Sequence, residues 1–209
     1  MLKLYDGTMS VCAIKVRLGL FEKGIPFESL NIDLRRGDQL NPAYLALNPN
    51  GVVPTLDDDG KIITESSVIM HYLEDTHPTP SLLPESPVDR AAMRLWMKRV
   101  YDTVHPSIGS LTHATVYRPA FLALNEDTRA ERLANIPDPN RRQRFAAVYK
   151  DGLAAPIAVA SLMPQSHPTS TGCLIWGYLA FGRYLLPKYY SGITRSVNGR
   201  ISRRLSSIT

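Results

Sequence analysis

Cysteine is nearly absent from this chain: Cys12 and Cys173 are the only two in 209 residues. Two cysteines build neither a disulfide framework nor a cysteine metal site. No CxxC or HExxH spacing occurs, so a zinc-ribbon, a disulfide-stapled domain and a zincin are all excluded. Long apolar runs are missing as well, since nothing approaches the roughly 18 residues of a membrane-spanning helix. Met1-Leu2-Lys3 opens directly into an alternating segment instead of a secretory leader. These absences lead to the expectation of a soluble, cytoplasmic, metal-free protein. Acidic residues are missing from one stretch. Residues 161–209 carry six Lys or Arg and no Asp or Glu, whereas residues 1–160 hold 18 basic residues against 19 acidic ones. The formal net charge of +5 therefore belongs to the tail. A basic excess confined there does not outline a nucleic-acid-binding face, and neither nucleic acid nor membrane is expected as a partner.

What is present suits a sizeable core. With 44% hydrophobic residues, the chain fits one large domain or a small domain joined to a larger one. Leu2 to Tyr5 alternates as a half-buried strand. From Val11 the apolar positions Ala13, Val16, Leu18, Leu20 and Phe21 take helical spacing, and Gly24 stops the helix. Ile25 to Ile32 reads as a second strand, which with the first makes a parallel βαβ unit. After a short helical connection at Asn41–Leu47, Gly51 to Leu56 and Lys61 to Thr64 form a hairpin around the Asp57-Asp58-Asp59-Gly60 turn. Glu65 to Glu74 closes the segment as an amphipathic helix with Val68, Ile69 and Tyr72 on one face. The order βαβ then ββα is the thioredoxin-like arrangement.

The stretch NPNGVVPTLDDDGKIITESSVIMHYLED, Asn48 to Asp75, resembles the glutathione-binding half of the glutathione S-transferases. The linker from Thr76 to Pro84 and the Asp89-Arg90-Ala91 opening of a long helix are also similar to that family. The resemblance covers roughly residues 1–160. It implies a thioredoxin-like α/β domain followed by an all-α domain. The expected division is 1–77 for the glutathione-binding domain, 78–86 for the linker, 87–160 for the helical domain and 161–209 for a basic tail.

The resemblance also implies a site for glutathione as co-substrate, with no metal. The Ser66 hydroxyl and the first free N–H groups of its helix would hold the γ-glutamyl carboxylate, and the Glu65 side chain would meet the ammonium. Val53-Pro54 would be a cis bond, turning the Val53 main chain outward to pair with the cysteine of glutathione. Gln39 is the candidate for the glycine carboxylate. In family members with serine or cysteine at the active position, that residue opens the first helix seven places before an arginine. In Ser10-Val11-Cys12-Ala13-Ile14-Lys15-Val16-Arg17 this position is Ser10. Cys12 falls inside the first turn and is expected to face away into packing. A serine hydroxyl beside the sulfur, together with the helix N-terminus, favours thiolate. If the two contribute about 2–3 kcal/mol, the thiol pKa falls by roughly two units.

From Val88 to about Tyr117, Met93, Trp96, Val100, Val104, Ile108 and Leu111 recur every three or four residues, as on a long helix with one buried face. In the family this helix borders the second-substrate pocket, which makes Trp96, Tyr101, Val104, His105 and Thr112 candidates to line it. His105 has no partners at metal-ligand spacing and reads more readily as an ordinary satisfied or solvated histidine. Shorter helices are expected at Arg129–Leu133 and Pro139–Tyr149. Beyond Ala160 the resemblance stops: the capping box expected after that point is missing, so the tail is either a change of reading frame or a diverged segment. Function follows the resemblance: a homodimeric transferase for detoxification that activates the glutathione thiol for attack on a hydrophobic electrophile. Two other readings remain. One is a non-catalytic protein of the same fold, either a ligand carrier or a starvation-protein-like partner of the transcription machinery. The other is a glutathione-dependent disulfide reductase.

Overall fold

The computed structural model describes residues 1–155. The basic tail of 161–209 and Cys173 lie outside the described residues. Within them two units separate: Met1–Leu82 with residues 97–155, and Leu83–Trp96.

The first unit begins with a four-stranded sheet in the order β2-β1-β3-β4. Strand β1 (Leu2–Asp6) runs parallel to β2 (Phe27–Asn31), with Leu2 opposite Phe27, and antiparallel to β3 (Thr55–Asp58), with Leu4 opposite Leu56. Strand β4 (Lys61–Thr64) closes the hairpin with β3. Alternation along β1 sends Leu2 and Leu4 inward, where helices α1 (Val11–Glu22) and α3 (Ser66–Thr76) cover them. The core joins those strands to Val16 and Leu20 of α1 and to Ile69 and Leu73 of α3, with Ile25 and Leu56. Leu20 and Leu73 are fully buried, so truncation of either to alanine should cost about 2–5 kcal/mol. Helix α1 approaches α3 closely at Gly19, where a Cβ would stand 2.6 Å from the Met70 sulfur. This is the thioredoxin-like domain expected from the sequence. Within the helices, however, Leu18, Phe21 and Val68 are exposed, and the inward face of α3 is Ile69 and Leu73.

Gly24 ends α1 as the spacing predicts. At φ 64° it lets the Ile25 N–H reach back to the Leu20 carbonyl at 3.0 Å, which satisfies a carbonyl of the last turn. A short helix α2 (Pro42–Leu45), capped by Asn41, follows β2.

Helix α4 (Pro87–Arg99) leads into a helical run that reaches Leu122. The run is not uniformly α. Residues Val100–Val104 and His113–Tyr117 are π turns, each just before the prolines of α5 (His105–Thr112) and α6 (Arg118–Leu122). Neither Pro106 nor Pro119 can donate to the carbonyl four residues back, and a widened turn accommodates the ring and the lost donor. Helices α7 (Glu126–Ala134) and α8 (Pro139–Asp151) complete the unit, capped by the side chains of Asn125 and Asp138. Arg132 of α7 donates to the main-chain carbonyls of Arg35 and Arg36, and Arg141 of α8 donates to that of Asn50. The helices are thereby fastened to the two loops that flank the candidate site.

Candidate functional site

Ser10 ends the loop after β1 and caps α1. Its Oγ accepts the Ala13 N–H at 3.3 Å, and its own N–H donates to the Gly7 carbonyl at 2.8 Å. A hydroxyl that caps by accepting keeps its proton free to donate elsewhere. Arg17 holds the loop in place. Its Nη1 lies 3.1 Å from Oδ2 of buried Asp6, and its Nη2 donates to the Thr8 carbonyl at 3.3 Å. A Cβ on Gly7 would meet the Val53 side chain at 3.0 Å, so the Ser10 loop lies directly against Val53.

Val53 is buried and its bond to Pro54 is cis. Among the described residues, neither its N–H nor its carbonyl has a hydrogen-bond partner. The approach to it is held by groups the sequence reading did not single out. Buried Asn48 donates to the Val52 carbonyl at 2.8 Å and to Thr55 Oγ1 at 3.1 Å. The Tyr44 hydroxyl donates to the same Val52 carbonyl at 2.6 Å. A satisfied buried network of this kind is rigid, which makes the Val53 main chain a fixed edge. The sequence signal for it was the NPNG stretch itself, read as a motif and not as a support.

Glu65 sits at φ 67° and ψ 110° immediately before α3, outside the regions that non-glycine residues favour. Such a conformation costs about 1–3 kcal/mol and tends to persist at functional sites. Its side chain is exposed and makes no capping bond, while Ser66, at the first helical position, is buried. Gln39 lies on the turn Asp38–Leu40, half-buried, with its Oε1 buried and without a partner among the described residues.

The Cys12 thiol is enclosed where helices meet. It stands 3.1 Å from His105 Nε2 and beside the Ser66 hydroxyl, so the first turn of α1, the start of α3 and the helical region meet at this sulfur. Position 12 lies two residues past the cap, and one further half-turn carries the side chain across to α3. Burial pushes the thiol pKa up, against the Ser66 hydroxyl and the Lys15 ammonium, which pull it down. Burial holds His105 below the ordinary histidine value, and Lys15 and Arg144 lower it further. The pair is therefore a neutral thiol against a neutral imidazole. Of the other pocket candidates, Val104 and Thr112 are half-buried and Tyr101 is exposed. Trp96 belongs to the second unit and is 37% exposed.

An aromatic cluster that the sequence reading also missed lies behind His105. His113 stacks on Phe145 at 3.6 Å between centroids, its Nδ1 is 2.6 Å from the Tyr149 hydroxyl, and Phe121 stacks on Tyr149 at 3.9 Å. Burial, with Arg144 and Arg141 adding to it, lowers His113 to about 3. Among the described residues no group of three or more His, Cys, Asp or Glu is placed to hold a metal, and no helix is long and apolar enough to cross a membrane.

The profile of the glutathione S-transferase N-terminal domain matches residues 9–76, the stretch that contains Ser10, Val53-Pro54 and Glu65-Ser66. Glutathione S-transferase F10 of Arabidopsis thaliana is 31% identical over 152 residues, 69% of this chain and 70% of that protein. The chain belongs to the glutathione S-transferase family. Protein LigF of Sphingobium sp. (strain NBRC 103272 / SYK-6) is 33% identical over 147 residues, 69% of this chain and 57% of its own length. The crystal structure of that β-etherase superposes with a TM-score of 0.70 at 30% identity, over 77% of this chain and 67% of the other. Maleylacetoacetate isomerase of Pseudomonas aeruginosa is 41% identical over 108 residues, half of this chain and 51% of that enzyme. This transferase-family chain thus spans little more than half the length of LigF and of the isomerase.

Proposed function

We propose that the chain is a glutathione-dependent enzyme that activates the glutathione thiol for attack on an electrophilic carbon of a small hydrophobic molecule. The observation that carries this reading is the meeting of three site elements in one unit. The Ser10 loop lies against Val53, and the first turn of α1 lies against Ser66. Ser66 and the opening N–H groups of α3 receive the γ-glutamyl carboxylate, exposed Glu65 meets the ammonium, and the Val53 main chain pairs with the cysteine of glutathione. The Ser10 hydroxyl then donates to the sulfur, and the N-terminus of α1 adds positive potential, so thiolate is favoured. Gln39 takes the glycine carboxylate. Attack forms the carbon–sulfur bond, and the displaced group departs with the electron pair. His105, Val104 and Thr112 face the second substrate.

The likeness to LigF extends through the helical region, which favours an ether as the bond that is broken. We place the enzyme in the cytoplasm, as a homodimer with a role in detoxification. The division into a domain of 1–77, a linker of 78–86, helices of 87–160 and a basic tail remains part of this proposal. Turnover of a panel of β-aryl ethers, halogenated aromatics and disulfides with glutathione tests it. Ether or halide displacement supports the reading. Retention on immobilised glutathione without any turnover would point to a carrier, and activity confined to disulfides would point to a reductase.

A further inference from the structure

Three cations of the first unit converge on the candidate site, and among the described residues none has a carboxylate within ion-pair distance. Lys15 Nζ donates to Ser67 Oγ at 3.1 Å, in the first turn of α3. Arg141 donates to the Asn50 carbonyl, on the approach to Val53. Arg144, one turn further along α8, has its Nε buried without a hydrogen-bond partner among the described residues, and its guanidinium carbon lies 5.7 Å from the centre of the Phe145 ring that stacks on His113. Arg144 and Lys15 both act on His105, the residue whose Nε2 touches Cys12. Arg141 adds to the lowering of His113, and burial holds Arg141 itself below its ordinary value, with Arg144 adding to that and Asp138 and Glu65 opposing it. Lys15 and Arg141 thus reach α3 and the Asn50 loop through hydrogen bonds, and Arg144 lies beside the ring stack on the same helix as Arg141. Both arginines are half-buried on α8, and a guanidinium held partly out of water is costly when left without a counter-ion.

Glutathione carries its own carboxylates, but in the reading above they are met by Ser66 with the α3 N–H groups and by Gln39. Arg141 and Arg144 come instead from α8, on the side of His105 and the His113–Phe145 ring stack. We propose that Arg141 and Arg144 form an anion site for the second substrate, which is thus a carboxylate-bearing aromatic or unsaturated electrophile and not a neutral one. The planar guanidinium fork matches a carboxylate, and the half-buried Phe145 ring offers apolar surface to the remainder of the molecule. This inference rests on the glutathione reading above for the position of the attacking sulfur.

The test pairs 4-chloro-3-nitrobenzoate with its methyl ester. In each, the glutathione sulfur bonds to the ring carbon, chloride leaves with the bonding electrons, and the thiol proton passes to solvent. Each kcat/KM is divided by the uncatalysed rate with free glutathione, which removes the intrinsic difference in reactivity. The wild-type chain should favour the acid by about tenfold or more, and Arg144→Gln should lower that preference about tenfold while changing the ester's kcat/KM and the KM for glutathione less than twofold. Arg141→Gln should act in the same direction. Equilibrium binding of the unreactive pair 3-nitrobenzoate and 3-nitrobenzamide, measured with glutathione present, needs no catalysis. Tighter binding of the acid, weakened by Arg144→Gln, is expected. Equal binding of acid and amide overturns the anion site even if the chain turns over neutral substrates. A rise in the KM for glutathione in Arg144→Gln, with both electrophiles affected alike, overturns it too by assigning the arginines to the tripeptide. Loss of glutathione binding in the wild-type chain would instead defeat the underlying glutathione reading, while the acid–amide comparison without glutathione still judges the anion site.

Discussion

Lys23 and Glu74 test how the two helices that present the site are held. Lys23 Nζ lies 2.7 Å from Glu74 Oε2, with the two side chains 0% and 8% exposed. The ammonium also donates to the carbonyls of His77 at 2.7 Å and Pro80 at 2.9 Å, and Glu74 accepts from the Ser81 hydroxyl at 2.7 Å and the Leu82 N–H at 3.1 Å. The pair ties the end of α1 to the end of α3, at the opposite pole from Ser10 and Ser66. Lys23→Met leaves a buried carboxylate without its cation and should cost about 3–5 kcal/mol. For a chain of this size that is a shift of roughly 1–2 M in the urea midpoint. Replacing both partners, Lys23→Met with Glu74→Leu, should recover most of the loss, because neither charge is then stranded. The Glu74 carboxyl is held below the ordinary carboxylate range. Burial alone would raise it, but the Lys23, Ser81 and Leu82 hydrogen bonds and the Lys23 charge together outweigh that. A depressed folded-state value gives stability that is present above the unfolded value and is lost as pH falls through the folded one. The double variant should therefore show a shallower decline than wild type below about pH 4.5. Urea titrations at pH 7 and across the acid range measure both effects. A cost below about 1 kcal/mol in Lys23→Met, the range of an exposed pair, would refute the reasoning.

Further expectations concern the remaining titratable groups and assembly. His113, lowered to about 3, should show no ring titration by NMR between pH 8 and 5; a midpoint above about 5.5 would contradict its burial against Phe145 and Tyr149. Because its folded value is depressed, the unfolded chain takes up the proton first, and this residue should reduce stability as pH falls below about 6.5. Cys12, raised by burial, should react with iodoacetamide at neutral pH at least about tenfold more slowly than a free thiol, and glutathione should slow it further. Rapid alkylation, unaffected by glutathione, would show that the thiol is not enclosed by His105 and Ser66. Light scattering should give twice the chain mass of 23.3 kDa, and a monomer mass across micromolar concentrations would reject the homodimer.

The thioredoxin-like half was legible because its information is local. Period-two alternation in β1, the Gly24 stop and the Asp-Gly turn each determine one piece of backbone, and Ser10 announces a helix cap by residue type alone. The faces of α1 and α3 were less legible. Leu18, Phe21 and Val68 are apolar yet exposed, since which stripe turns inward depends on how the helices pack, as at Gly19 against Met70. The Cys12–His105 contact joins residues 93 positions apart, and no local pattern encodes it. Nor did the chain suggest that Arg141 would reach the Asn50 carbonyl or that Arg144 would lie over the Phe145 ring, because arginine on a helix most often reads as a solvated face. The long helix was legible from its three-to-four repeat, but the π turns within it were not: each one resets the phase of the residues after it.

The proposed chemistry depends on one hydroxyl, that of Ser10, donating to the glutathione sulfur at the start of α1. Ultraviolet thiolate absorbance of bound glutathione against pH reads this directly. In the wild-type chain the bound thiol should titrate roughly two units below free glutathione, and a charge-assisted hydrogen bond of about 1.5–3 kcal/mol means that Ser10→Ala should move it back up by one to two units. Turnover near neutral pH should fall roughly ten- to a hundredfold with little change in glutathione affinity, because Glu65, Ser66 and Val53 are untouched. Cys12→Ala should leave the titration in place. An unchanged curve in Ser10→Ala, or an equal displacement in Cys12→Ala, would contradict the assignment.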